Sequence, residues 1–146
     1  MFIVKSHRLI AVDGKPVRFV ATKAMGGAIA PEILVMHWTG ANSLQSAVNT
    51  FAASNAKASA HLVIGADGEV VQMVPFNRAA WHAGVSAWKK RANCNGFSIG
   101  IELANAGELQ KRADSKYVER IRTSVVVPMK DVLLARHKNG GPELPY

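Results

Sequence analysis

Cysteine is almost absent from this chain of 146 residues, and the single Cys94 excludes an intrachain disulfide framework and any zinc knuckle built on cysteine pairs. No apolar run approaches the ~20 residues of a membrane-spanning helix. The opening MFIVKSHRLI lacks a basic stretch followed by a long apolar core, so no secretory signal is expected. Compact catalytic signatures are missing as well. There is no H-E-x-x-H or C-x-x-C metal motif, no G-x-S-x-G nucleophile elbow, and no phosphate-binding loop, since Gly65 to Gly68 is too short and joins two strands. Internal repeats and low-complexity segments are also lacking. Acidic residues are few, 10 against 18 Lys and Arg, which leaves a net charge of +8. That balance favours an anionic partner such as nucleic acid, a lipid surface or an acidic cell-wall polymer. The basic residues are scattered, however, with short clusters only at Lys89-Lys90-Arg91 and Lys111-Arg112. No basic stripe interleaved with aromatics supports nucleic-acid binding, and plain solubility also accounts for the charge.

What is present reads as one α/β domain. Hydrophobic residues make up 49% of the chain, enough for a single core at this length. Phe2 to Val4 and Arg8 to Val12 read as short strands. Val12 to Pro16 reads as a turn, with Val17 to Ala21 as its return strand. Ile33 to Trp38 (ILVMHW) is a continuous apolar run, expected for a central strand covered on both faces. His37 lies at its end, before Thr39-Gly40, where α/β sheets often place their chemistry; a lone core histidine is the plainer alternative. Leu44, Ala47, Val48, Phe51 and Ala52 form the stripe of an amphipathic helix over about Ser43 to Ser54. Asn42 is its expected N-cap, with Gln45 completing a capping box.

Ala60 to Ile64 and Glu69 to Val74, joined by Gly65 to Gly68, give the strongest hairpin signal in the chain. Arg78 to Ala80 reads as a short helical turn leading into Trp81-His82. Phe97 to Leu103 alternates, with Phe97, Ile99, Ile101 and Leu103 on one face and Ser98, Gly100 and Glu102 on the other. Glu102 on that polar face is either an ordinary surface carboxylate or part of a site. Beyond it, Ser115 to Arg122 reads as a short helix, and Val125 to Val127 and Val132 to Leu134 as short strands. No second long amphipathic helix is visible, so one sheet face is expected to lack cover.

Three blocks carry a resemblance: Ala60 to Phe76 (AHLVIGADGEVVQMVPF), Arg78 to Gly84 (RAAWHAG) and Cys94 to Leu103 (CNGFSIGIEL). In this order, with Ile33 to His37 ahead of them, they resemble the zinc-dependent N-acetylmuramoyl-L-alanine amidases. That family includes muropeptide-recycling amidases, phage amidase endolysins and the related peptidoglycan recognition proteins. The resemblance implies a mixed central sheet with flanking helices and a Zn2+ site at one edge. It implies hydrolysis of the amide between N-acetylmuramic acid and L-alanine, with peptidoglycan or a muropeptide as substrate and neither nucleic acid nor membrane as partner. By position, His37 matches the first zinc ligand and Glu102 the carboxylate that moves protons. His61, Trp81, His82 and Asn95 match substrate-pocket or supporting positions, and Trp38 or Trp81 is suited to stack on a sugar or peptide face.

The departure from the family lies late in the chain. Two further ligands, a His and an Asp or Cys, are expected after a long amphipathic helix, in a stretch like Gly-His-…-Pro-…-Lys-x-Asp-Pro-Gly. Nothing before Tyr146 matches it, and the remaining candidate, His137, lacks those neighbours. The expectation is therefore an N-terminal hairpin region (1–30), a family core (31–103) and an insertion or truncated C-terminal part (104–146). A chain without the last helix would bind zinc weakly and self-associate through the uncovered sheet face. A non-catalytic peptidoglycan-binding module is the alternative function. The expected setting is a bacterial cytoplasm, or a phage product acting on the cell wall.

Overall fold

The structure is a computed structural model and describes residues 1–41, 43–119, 126–127, 134–136 and 143–145. The chain divides into two compact units, Met1–Asn105 and Ala106–Tyr146.

In the first unit the strands are β1 (Phe2–Lys5), β2 (Arg8–Ala11), β3 (Arg18–Phe19), β4 (Met25–Ala28), β5 (Ile33–Trp38), β6 (Leu62–Ile64), β7 (Val70–Gln72), β8 (Arg78–Ala80), β9 (Ala87–Trp88), β10 (Arg91–Ala92) and β11 (Ser98–Leu103), with the α-helix α1 (Leu44–Ala52) between β5 and β6 and a 3-10 turn (Cys94–Gly96) before β11. Five strands form the main sheet in the order β3-β7-β6-β11-β5. Strand β11 runs parallel to both β5 and β6, β3 runs parallel to β7, and β6 and β7 are antiparallel, so the sheet is mixed as expected.

The β6–β7 hairpin forms as its turn chemistry predicts. Gly68 takes φ +84°, and Asp67 Oδ1 accepts from the Glu69 amide. Helix α1 lays Ala47 and Val48 on Val63, Val71 and Met73, all fully or almost fully buried. Each valine so enclosed contributes roughly 1.5–3 kcal/mol of apolar burial. The N-cap is Ser43, whose hydroxyl accepts from the Ser46 amide at 3.1 Å. The Gln45 side chain, expected in a capping box, bonds Arg18 and Asn49; Asn42 lies outside the described residues.

Several expectations are corrected. Among the described residues strand β5 is an edge strand of the sheet, not a central one. Its burial alternates, with Ile33, Val35 and His37 partly covered and Leu34, Met36 and Trp38 exposed. A continuous apolar run cannot by itself distinguish a doubly covered strand from one with a bare apolar face. The first hairpin turns at Ser6-His7, both at positive φ, without the Asn-Gly or Asp-Gly signal. The Val12 to Pro16 turn brings Pro16 and Val17 back against β2 as expected, but the return ends there and β3 pairs parallel with β7. Arg78–Ala80 is a strand, paired antiparallel with β4, where Ala79 and Ala80 bury their small side chains.

In the second unit, β12 (Leu109–Lys111), β13 (Tyr117–Glu119) and β14 (Val126–Val127) form an antiparallel three-stranded sheet, and β15 (Leu134–Arg136) pairs with β16 (Glu143–Pro145). The helix expected from Ser115 is replaced by β13 over its described part, with Val118 buried on the strand. None of the helices among the described residues is long and apolar enough to cross a membrane.

Candidate active site

Parallel pairing of β5 with β11 sets Glu102 opposite His37, Gly100 opposite Val35 and Ser98 opposite Ile33. Paired residues share a sheet face, so His37, Glu102, Gly100 and Ser98 lie on one side and Trp38 on the other. Glu102 is only 8% exposed, and its Oε2 has no hydrogen-bond partner among the described residues. Loss of hydration pushes its carboxyl above the ordinary carboxylate value. A buried carboxylate oxygen without a partner is costly, and such perturbed groups concentrate at functional sites.

His82 reaches this face from the loop after β8. Its ring lies over Gly100, where a Cβ would overlap the imidazole. Its Nδ1 is 3.0 Å from His37 Nε2 and its Nε2 is 3.1 Å from Ser98 Oγ. The backbone around it is held by Asn95, whose Oδ1 accepts from the His82 and Ala83 amides at 3.0 and 2.8 Å. Burial lowers the pKa of His37. It lowers that of His82 to about 4, with the nearby His37 and His61 adding to the effect. Both rings are therefore neutral near pH 7, the state in which a histidine offers a lone pair.

The other expected site residues are distributed differently. His61 is 0% exposed, with Nε2 2.8 Å from the Arg78 carbonyl and Nδ1 accepting from the Gly100 amide at 3.0 Å. It ties β11 to β8 and offers no surface to a substrate. Asn95 is also buried, its amide oxygen occupied by the loop it supports. Trp38 is 65% exposed and faces away from His37. Trp81 is partly exposed with its ring across Gly26. His137 lies outside the described residues.

A cavity of about 670 Å³ opens along β5, lined by Ile33, Val35, His37, Ala83, Trp88 and Cys94 among others. Trp88 and Ser98 are the residues that sequence reasoning left without a role. Ser98 was legible as a neighbour of Glu102 on the alternating face. Trp88 sits on the two-residue β9–β10 hairpin, whose turn residues Lys89 and Lys90 both take positive φ. That hairpin is fastened beside β5 by Arg91, which bonds both oxygens of Glu32 at 2.8 Å and lies 3.9 Å from the Phe97 ring centroid.

Zinc sites of the catalytic kind need three protein ligands and one open position. Among the described residues no group of three His, Cys, Asp or Glu side chains could hold a metal. The donors fit a first ligand, His37, and do not complete a set.

Known proteins are similar to this chain in sequence and in fold. A family model described as N-acetylmuramoyl-L-alanine amidase matches residues 26–138. The chain is 57% identical over 53 residues to the 1,6-anhydro-N-acetylmuramyl-L-alanine amidase AmpD of Citrobacter freundii, covering 36% of this chain and 28% of that protein. It is 34% identical over 116 residues to the N-acetylmuramoyl-L-alanine amidase AmiD of Escherichia coli (strain K12), covering 73% of this chain and 41% of that one. The matches thus span less than half of these relatives' length. A crystal structure of an AmpD derivative superposes with a TM-score of 0.55 at 29% identity, covering 70% of this chain and 66% of the other. With the family model matching most of its length, the chain belongs to the N-acetylmuramoyl-L-alanine amidase family.

Proposed function

We propose that this domain hydrolyses the amide bond between N-acetylmuramic acid and L-alanine in muropeptides or peptidoglycan. The observation that carries the reading is the placement of His37 and Glu102 as partners on one face of β5 and β11, with His37 lining the cavity. AmpD and AmiD, by name, act on this class of bond.

Glu102 is the proton carrier. Its ionised carboxylate takes a proton from the water that attacks the amide carbonyl carbon. The resulting carboxylic acid then gives that proton to the leaving nitrogen of L-alanine. Its raised pKa suits both halves of this task, because the acid is formed more easily than in an ordinary carboxylate. Trp88 on the cavity rim gives a sugar or peptide a flat apolar wall.

Enzymes of this family are generally zinc-dependent. Zinc, when bound, polarises the carbonyl and lowers the pKa of a bound water toward ~7. His37 would hold it through a ring nitrogen, and the rest of the ligand set is not found among the described residues. That shortfall favours a second reading, a module that binds muramoyl peptide without cleaving it.

The test is release of L-alanine-linked peptide from purified muropeptide by the zinc-supplemented protein, with Glu102→Gln as control. Release that falls ~10²-fold or more in the variant supports the amidase. Binding without release supports the second reading, and neither binding nor release overturns both.

A further inference from the structure

Ser98, His82 and His37 form a continuous line of side chains across β11 and β5. The direction of each hydrogen bond in it follows from one fixed acceptor. Ser98 Oγ is 2.6 Å from the Cys94 carbonyl oxygen, which can only accept, so the Ser98 hydroxyl proton points there. The same oxygen is 3.1 Å from His82 Nε2 and, having spent its proton, must accept from it. A neutral His82 protonated at Nε2 carries its lone pair at Nδ1. That nitrogen, 3.0 Å from His37 Nε2, accepts the His37 Nε2 proton. His37 is left with its lone pair at Nδ1, which has no hydrogen-bond partner among the described residues. The residue at the centre of the line is also held from beneath the ring and through its backbone. Gly100 lies beneath it without a Cβ, and Asn95 holds its own amide and that of Ala83.

We propose that Ser98 and His82 are positioning residues that lock His37 in the Nε2-protonated tautomer and reserve its Nδ1 as the metal-ligating atom. The order of control runs from a backbone carbonyl, through a hydroxyl and an imidazole, to the ligand. Orientation of a ligating imidazole by a hydrogen bond at its other nitrogen is the general device; here the partner is a second neutral imidazole whose own tautomer is fixed in turn. The proposal rests on the reading of His37 as a ligand, but the line of hydrogen bonds can be tested without metal.

The experiment is ¹⁵N NMR of the histidine rings in the metal-free full chain, followed by Zn2+ addition. Expected is a scalar coupling across the hydrogen bond from His37 Nε2 to His82 Nδ1, with the proton on His37 Nε2 and His82 protonated at Nε2. Ser98→Ala should abolish that coupling and give His82 a mixture of tautomers, while Ser98→Thr, which keeps the hydroxyl, should retain both signatures. Zn2+ should then move the His37 Nδ1 resonance selectively. A wild-type His82 protonated at Nδ1, or a His37 unprotonated at Nε2, overturns the proposal whatever the variants do. The couplings present with His37 Nδ1 unmoved by Zn2+ would uphold the tautomer lock and overturn the ligand reading.

Discussion

Glu102 and His37 face each other across the β5–β11 pair, and the same cause moves their acidities in opposite directions. Loss of hydration raises the carboxyl and lowers the imidazole, so both are pushed toward their neutral forms. The pair therefore holds a group ready to take a proton beside a group with a lone pair to give.

If Glu102 is the base, its ionised form must be present for turnover. Its raised pKa shifts the acid limb of a kcat/KM profile above that of an ordinary carboxylate at 4.5. Activity should fall as pH drops through that raised value. A limb at or below 4.5 would assign the proton transfer to another group.

One buried and two half-buried histidines predict an acid-sensitive fold. His37, His61 and His82 have folded pKa values below the ordinary 6.5, so the unfolded chain binds more protons as pH falls. Their stabilisation is complete above about 6.5 and is lost from there down through the folded values, of which that of His82 is about 4. Glu102 acts in the opposite sense, since its raised folded pKa lets the native state gain a proton first. With three groups against one, the melting temperature of metal-free protein should drop between pH 7 and pH 4. A flat profile would mean that these rings are already hydrated.

Gly100→Ala places a methyl inside the His82 ring. The variant should lose about 1–3 kcal/mol, the usual cost of overpacking, and break the His37–His82 contact. Urea unfolding measures the first, and the histidine NMR signals report the second. Met73→Ala, fully buried under α1, should lose about 2–5 kcal/mol with those signals unchanged.

Leu34, Met36 and Trp38 leave one face of β5 apolar and exposed. Exposed apolar area of this kind favours association. Trp38→Lys, at a residue outside the cavity lining, should lower any concentration-dependent association seen by sedimentation without altering the site face. Unchanged association would place the contact elsewhere.

Alternation and turn chemistry made much of the arrangement readable. The period of two in Phe97 to Leu103 put Ser98, Gly100 and Glu102 on one face, and Gly65 to Gly68 gave the β6–β7 hairpin its turn. Facts that depend on neighbours distant in sequence were not readable. Nothing in ILVMHW says that β11 flanks it on one side only, or that Trp38 turns away from the site. The burial of His61 follows from its bonds to Arg78 and Gly100, residues 17 and 39 positions away. Ser6-His7 lacked any glycine signal, and Arg78 to Ala80 was too short for its period to be seen.

The edge position of β5 has a kinetic consequence. Among the described residues its amides and carbonyls are held on one side only, by β11, so it can open without disturbing the other four strands of that sheet. Local openings of this kind cost less than global unfolding. Hydrogen exchange should therefore run faster along Ile33 to Trp38 than along Leu62 to Ile64, and each such opening would carry His37 away from Glu102. If the His37–Glu102 pair carries the proposed hydrolysis, that activity would be lost by fraying well before the domain melts, and anything that pairs with the outer edge of β5 would lengthen the time the pair stays assembled.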